Sequence, residues 1–174
     1  DSVPQGEGSL VVPALREDSI ELRFDDHGVP WIVGTTVAGL CQGEGFVHGQ
    51  DRFFQMDLMR RYAAGELAGI FGARSQAMDR NQRPFLHRDA ADAIVASLPP
   101  RQLEALEAYA EGVNAGVRSL GGPPPEYMLL QEYPAEWTPA DSILVLLSMG
   151  DQLSSSANVE MQREQVRSKV SSEM

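Results

Sequence analysis

The side chains able to do chemistry by themselves are few in this sequence and lie far apart. Its three histidines, His27, His48 and His87, are separated by about 20 and 40 residues, which is not the paired spacing of a zinc site. The single cysteine, Cys41, is interpreted as a small buried hydrophobic residue in preference to a catalytic thiol. The sequence has no glycine-rich nucleotide loop, no P-loop and no Gly-x-Ser-x-Gly elbow, and the triple serine at 154–156 is typical of a loop. No complete catalytic constellation is therefore predicted in this chain.

The densest polar cluster combines acids and guanidinium groups three and four residues apart: Asp51, Arg52, Asp57, Arg60 and Arg61. Residues at this spacing share one face of a helix, where arginine and carboxylate groups commonly form structural ion pairs. We therefore interpret the cluster as structural. Asp79 with Arg83 and His87 is interpreted in the same way, as a salt-bridged surface.

Composition excludes several classes of protein. The chain has 174 residues, with 14 Lys+Arg against 25 Asp+Glu and a formal net charge of −11. Nucleic-acid affinity depends on cations that neutralise phosphate, so no nucleic-acid partner is expected. A hydrophobic content of 43% predicts a packed core, and one cysteine excludes an intrachain disulfide. The longest strongly apolar stretch, 143–149, is too short to cross a bilayer, so we expect a soluble chain with no membrane partner.

The elements that must position any site begin with a strand pair. Alternating apolar residues at 20–24, a turn-rich run at 25–28 and a second apolar run at 29–33 predict a β-hairpin. Because Pro30 has no N–H to donate, it should lie at the start or the outer edge of the second strand. The preceding residues are predicted to be irregular, and the missing initiator methionine before Asp1 indicates either a processed N terminus or a cloning boundary.

Helices are predicted from about Val47 to Ala64, from Pro99 or Pro100 to about Leu120, from Pro139 to Met149 and from about Asn158 to the end of the chain. The third has Thr138 as its capping residue and Asp141 at the third helical position, which is the pattern of a capping box. Its body, 143–147, is apolar on every side, and a break into a Ser-rich loop is expected at Gly150. The last helix has only a thin apolar stripe. Both features indicate a missing partner, without which the chain is expected to aggregate or stay molten.

Longer motifs follow one another in a fixed order along most of the chain. They are Phe24-Asp25-Asp26-His27-Gly28-Val29-Pro30-Trp31-Ile32, the run from Gly43 to Asp57 with Gln50-Asp51-Arg52 and Gln55-Met56, Arg60-Arg61, Gly65 to Gly72, Asp79 with Arg83, Tyr109-Ala110-Glu111-Gly112-Val113-Asn114, and Glu136 to Asp141. This set resembles the α subunit of the penicillin acylase family of N-terminal nucleophile hydrolases. Two positions depart from the family pattern: Trp31 stands where the family often has His, and Leu153 where penicillin G acylases carry an aromatic residue.

The resemblance implies a fold and a partner. Residues 1–174 are expected to form a single α-subunit segment of α+β class, mainly helical with an N-terminal hairpin, that a separate β chain completes as an αββα sandwich. In the family the nucleophile is the N-terminal Ser of the β chain, with its own α-amine as base. No residue of this chain matches that Ser, so no catalytic residue is assigned to it. The family also implies processing of one precursor in the periplasm or after secretion.

Three residues are candidates for binding roles by resemblance. Met149 and Leu153 occupy positions that touch the acyl group in the family, although ordinary core residues would have the same apolar character. Glu160 lies one residue from the position of a carboxylate that helps bind a structural calcium ion, with a surface Glu on a polar helix as the alternative. No organic cofactor is expected.

The function expected from the resemblance is hydrolysis of a small-molecule N-acyl amide with an apolar acyl group. An acyl-homoserine lactone or lipopeptide acylase is the alternative within the same chemistry. A non-catalytic binding module that keeps the α-like fold is the alternative from another class, and it would need no partner beginning with Ser.

Overall fold

The computed structural model describes residues 20–154 and 156–170; the predicted irregular lead-in lies outside the described residues. The bounds are β1 Glu21–Phe24, β2 Pro30–Val33, α1 Val37–Ala64, α2 Ala68–Phe71, α3 Gln76–Gln82, α4 His87–Ser97, α5 Pro100–Ser119, α6 Pro125–Leu130, α7 Pro139–Leu153 and α8 Ser156–Val170, with 3₁₀ turns at Gly72–Ser75 and Arg83–Phe85. The expected fold class, a mainly helical chain with an N-terminal hairpin, is confirmed.

The hairpin forms where it was predicted. β1 and β2 pair antiparallel, and Phe24 lies opposite Pro30 at the turn end of the ladder, so the proline begins its strand. The turn is stabilised by the carboxylate of Asp25, whose Oδ1 accepts hydrogen bonds from the backbone N–H groups of His27 at 2.9 Å and Val29 at 2.8 Å. Asp is favoured in turns because its side chain accepts from backbone groups in this way.

Helix α1 begins at Val37, well before the expected start at Val47. Thr36 caps it, with Oγ1 accepting from the N–H of Gly39 at 3.0 Å. The added turns are rich in glycine and have no apolar stripe, so their helical period was not readable from the sequence. The helix ends at Gly65, whose φ of 69° is a left-handed conformation that glycine adopts without strain.

Packing against α5 explains why glycine is tolerated in the first half of α1. Four glycines, two on each helix, lie where a Cβ atom would overlap a carbonyl oxygen of the other helix: Gly45, Gly49, Gly112 and Gly116. The two backbones therefore approach more closely than any larger residue permits. The small residue is required at each of these four positions by the facing backbone.

Two clusters of buried side chains form the core. One contains Phe53, Ala110, Val113, Tyr127 and Trp137, and the other contains Ala63, Ala91, Ala140, Ile143 and Leu144. The first cluster joins α1, α5 and α6 to the segment before α7, and the second joins α1, α4 and α7. None of the helices in the described part of the chain combines the length and apolar character needed to cross a membrane.

Helix α7 begins as predicted, with a capping box formed by Thr138 and Asp141. The break expected at Gly150 is wrong, because the helix continues to Leu153 and the N–H of Ser154 bonds to the carbonyl of Gly150. One helical glycine costs only about 1 kcal/mol relative to alanine, so the glycine alone does not end a helix. The last helix, α8, begins slightly earlier than expected, and its side chains at 159–168 are all exposed.

Candidate functional site

Arg60 lies at the centre of a buried hydrogen-bond network. Its Nε donates to Asp57 Oδ1 at 2.7 Å, and its Nη1 donates to Asp141 Oδ2 at 2.8 Å. The guanidinium group also donates to the backbone carbonyls of Ala135 and Glu136. Because an unpaired buried cation is very costly, these four bonds are what allow Arg60 to lie in the core. The network therefore joins α1 to the start of α7.

Asp57 accepts hydrogen bonds from three side chains. Besides Arg60, it binds Arg61, whose Nε donates to Oδ2 at 3.0 Å, and Tyr127, whose hydroxyl donates to the same oxygen at 2.7 Å. Burial, reinforced by the hydrogen bond and negative charge of Asp57, raises the pKa of the Tyr127 hydroxyl, which therefore remains a donor. The carboxylate of Asp57 thus joins α1 to α6.

The predicted structural cluster is correct in part. Asp57, Arg60 and Arg61 belong to the network, whereas Asp51 and Arg52 are exposed on α1 and take no part in it. Sequence reasoning missed Asp141 and Tyr127 as members. The sequence predicted Asp141 as part of a capping box. A capping box does not, however, indicate that the same carboxylate also binds an arginine on another helix.

The interpretation of Asp79 as a surface residue is corrected. Asp79 is 3% exposed, and its two carboxylate oxygens accept the backbone N–H groups of Leu67 and Ala68 at 2.9 Å each. Arg83 donates from Nε to the carbonyl of Gly65 at 3.0 Å. Buried backbone groups at a chain turn need such partners. These residues hold the turn between α1 and α2.

The described residues contain no group of three or more His, Cys, Asp or Glu placed to hold a metal. His48 Nδ1 is 2.9 Å from the hydroxyl of Tyr109, whose pKa burial raises to about 12 with help from the charge of Glu44. Burial also raises the pKa of the Cys41 thiol, which disfavours the reactive thiolate. Both sites fit a structural interpretation.

The outer face of α7 is apolar and exposed. Leu146, Met149 and Leu153 are 62%, 47% and 84% exposed, and their spacing of three and four residues places them on one side of the helix. We call these three residues the α7 face. It contains both residues predicted to touch an acyl group, although Leu153 lies on a helix and not on the expected loop. Exposed apolar patches of this kind mark interaction sites.

A groove with a volume of about 390 Å³ lies between α1, α2 and α7. It is lined mainly by apolar side chains, with two polar residues of α7: Leu58, Met59, Tyr62, Leu67, Phe71, Ser148 and Gln152. Ser148 is 2% exposed, yet its Oγ has no hydrogen-bond partner among the described residues. Met149 and Leu153 do not line this groove, but each directly follows one of its polar residues. The groove and the α7 face are therefore neighbouring surfaces.

Glu160 is exposed on α8. Its carboxylate has the oxygen donors that Ca²⁺ prefers, and Ca²⁺ takes six to eight oxygen ligands. The described part of the chain places no further acids around it in a metal-binding group.

The structure is mainly helical, with an N-terminal hairpin and an exposed apolar face on α7. Residues 19–174 match the family model described as penicillin amidase. The chain belongs to this family, as its ordered motifs indicated.

Several relatives share this similarity. The chain is 35% identical to penicillin acylase 2 proenzyme of Pseudomonas sp. (strain SE83), over 86% of this chain and 19% of that protein. It is 31% identical to penicillin G acylase of Escherichia coli and 33% identical to the acyl-homoserine lactone acylase QuiP of Pseudomonas aeruginosa, over 84% and 86% of this chain and 18% of each relative. It thus spans about a fifth of the length of these relatives.

A solved structure shows the same fold. Thermostable penicillin G acylase from Alcaligenes faecalis matches with a TM-score of 0.77 and 25% identity, over 91% of this chain and 85% of that chain. The placement of the hairpin and the helices described above is therefore that of a penicillin acylase chain.

Proposed function

We propose that this chain is the α subunit of an acylase-type amidohydrolase that cleaves a linear amide with an apolar acyl group. The observation that carries the proposal is the family match over residues 19–174, shared with relatives named as acylases. The exposed apolar α7 face supports it, because a face of this kind needs a partner. That partner is a β chain cut from the same precursor, in the periplasm or after secretion.

The proposed chemistry is acyl transfer in two steps. The N-terminal Ser of the β chain adds its Oγ to the amide carbonyl, the C–N bond breaks, and the amine leaves with a proton from the Ser hydroxyl. Water then adds to the acyl ester and releases the carboxylic acid and the free Ser. Asp57 and Asp141, two of the buried acids among the described residues, are engaged by arginines and tyrosine. With the β-chain Ser as the nucleophile, we assign no catalytic residue to this chain.

The contribution of this chain is one wall of the acyl pocket. Met149 and Leu153 project outward from α7, where an apolar acyl chain between the two polypeptides would contact them. Leu153 offers a branched aliphatic surface and no flat ring. This chemistry favours aliphatic acyl groups over phenylacetyl groups, and it gives weight to the alternative of an acyl-homoserine lactone acylase, the activity named for several relatives.

A structural calcium ion is part of the proposal. Glu160 would supply one carboxylate, and the β chain would supply the remaining oxygens. The ion would fasten α8, which has no buried side chains over 159–168, to the rest of the enzyme. It would have no part in the chemistry.

The test is expression of the complete precursor that contains this chain. Mass spectrometry of the purified protein should find this chain together with a second chain that begins with Ser. The protein should hydrolyse N-acyl amides of a chromogenic amine, and a variant with that Ser replaced by Ala should not. A single stable chain without hydrolysis would favour a binding module and overturn the proposal.

A further inference from the structure

We propose that His87 is a positioning residue that fixes the last turn of α7. The side chain of His87 is 9% exposed, at the start of α4, and its Nε2 lies 3.2 Å from Asp151 Oδ2. Its Nδ1 lies 3.3 Å from the carbonyl oxygen of Ala63 on α1. The ring of Phe85 stacks on the imidazole at 5.4 Å with an angle of 11° between the planes. Both oxygens are hydrogen-bond acceptors, so a neutral imidazole donates to one of them, according to its tautomer, and packs against the other.

Asp151 lies in the last turn of α7, where an acid is normally unfavourable. Carboxylates are unfavourable in the last turn of a helix, where the helix dipole is negative, and the last turn of α7 contains no basic residue. A proton on Nε2 directed at Asp151 offsets that cost. Asp151 would otherwise destabilise the last turn of α7, and its contact with His87 joins α7 to α4.

The two ends of α7 are held by two acids. Asp141 binds Arg60 and Arg88 at the first turn, and Asp151 meets His87 at the last. Leu153 lies two residues beyond Asp151 and is 84% exposed, so the core of this chain does not fix it. His87 therefore acts through Asp151 on the position of Leu153. The effect on substrate choice rests on the proposed function, whereas the positioning itself does not.

Hydrogen exchange of the processed, assembled protein tests the positioning. In His87→Ala, amides at 150–154 should exchange about ten-fold faster than in the wild type, since local opening would no longer break the His87–Asp151 contact. Asp151→Ala should also speed exchange, but by less than His87→Ala, because it removes an acid that the helix dipole disfavours and adds a good helix former. This variant is expected to assemble because the Asp151 side chain is 42% exposed. His87→Gln places an amide N–H₂ near the position of Nε2 and should restore most of the protection.

Arg118→Ala is the matched control, because it removes an exposed ion pair with Glu136 and does not touch the end of α7. It should leave exchange at 150–154 unchanged. Equal exchange at these amides in the wild type, His87→Ala and Asp151→Ala would overturn the positioning role. Loss of protection across the whole chain in His87→Gln would also overturn it, since that pattern belongs to a general core residue.

The second measurement concerns substrate choice. The ratio of kcat/KM for straight-chain and phenylacetyl amides of one amine should move toward 1 by about three- to ten-fold in His87→Ala. Asp151→Ala should give the same shift, and the double variant no further one, because both changes break one contact. An active enzyme with an unchanged ratio would contradict the role in specificity. A wild type that cleaves none of these amides would instead refute the proposed function, while the exchange result still decides the positioning.

Discussion

Arg60 and Asp141 lie on different helices, 81 positions apart, yet Arg60 Nη1 donates to Asp141 Oδ2 at 2.8 Å in the core. The same oxygen accepts the N–H and the hydroxyl of Thr138. One carboxylate therefore caps α7 and anchors it to α1 at once. This bond therefore fixes the start of α7.

The first prediction is that Arg60→Ala prevents accumulation of the proposed two-chain protein. The change leaves Asp57 and Asp141 buried with fewer partners, and breaking a buried pair in this way typically costs about 3–5 kcal/mol. Arg52→Ala is the control on the same helix, because Arg52 is exposed and outside the network. The measurement is the yield and melting temperature of the two-chain protein. Similar yields and melting temperatures for the two variants would mean that the Arg60 network contributes little to stability.

A second prediction concerns the glycine contact between α1 and α5. In Gly112→Ala the new Cβ would overlap the carbonyl oxygen of Gln42, and backbone cannot move aside cheaply, so destabilisation of at least about 1–3 kcal/mol is expected. Gly150→Ala is the control, since nothing lies within 4 Å of its Cβ position. That variant should gain about 0.5–1 kcal/mol from the higher helix propensity of alanine. Opposite changes in melting temperature are expected, and a stabilising Gly112→Ala would contradict the close contact.

The third prediction is a loss of stability at high pH caused by Tyr127. Its pKa is raised above the ordinary value of 10.0, so above pH 10 the unfolded chain releases a proton that the folded chain keeps. The contribution is fully present below pH 10 and is lost as the pH rises, with a slope of about 1.4 kcal/mol per pH unit for one proton.

Tyr127→Phe isolates this effect. The variant should be about 1–2 kcal/mol less stable at pH 8, because Asp57 loses a donor, and its stability should fall less steeply above pH 10. Tyr109 is unchanged in both proteins, so its own raised pKa affects them alike. The measurement is the melting temperature from pH 8 to pH 11. An equally steep fall in melting temperature above pH 10 in both proteins would show that the pKa of Tyr127 is not raised in the folded state.

Local patterns in the sequence predicted the hairpin, α5 and the start of α7, because alternation, apolar spacing and capping act within a few residues. The first turns of α1 escaped prediction, since Gly45 and its neighbours are helical only because α5 packs against them. The contacts of Arg60 with Asp141 and of His87 with Asp151 also escaped it. They join residues that the fold brings together, and a single sequence does not record which distant charges meet.

The fourth prediction is that Glu160→Ala weakens calcium-dependent stability and leaves substrate preference intact. Removal of one carboxylate ligand lowers affinity for the ion, and an ion bound only by the native state stabilises that state. The melting temperature of the wild type should rise with added Ca²⁺, and that of the variant should rise less. Glu164→Ala, on the same exposed helix, is the control and should respond like the wild type. An identical response of all three proteins would exclude Glu160 as a ligand.

The last prediction is that Leu153 sets the preference for the acyl group. Leu153→Phe adds a flat ring to the α7 face, on which an arylacetyl group can stack. Pocket changes of this size alter discrimination by roughly 1–3 kcal/mol, so the kcat/KM ratio of phenylacetyl to straight-chain amides should rise about ten-fold or more. Leu146→Phe is the control, because Leu146 is similarly exposed on the same face but lies two helical turns before Leu153. With one chromogenic amine used throughout, the leaving group contributes equally to every rate. An unchanged ratio in Leu153→Phe would mean that Leu153 takes no part in the proposed acyl pocket. A larger change in Leu146→Phe would indicate that the acyl group contacts the middle of α7 instead.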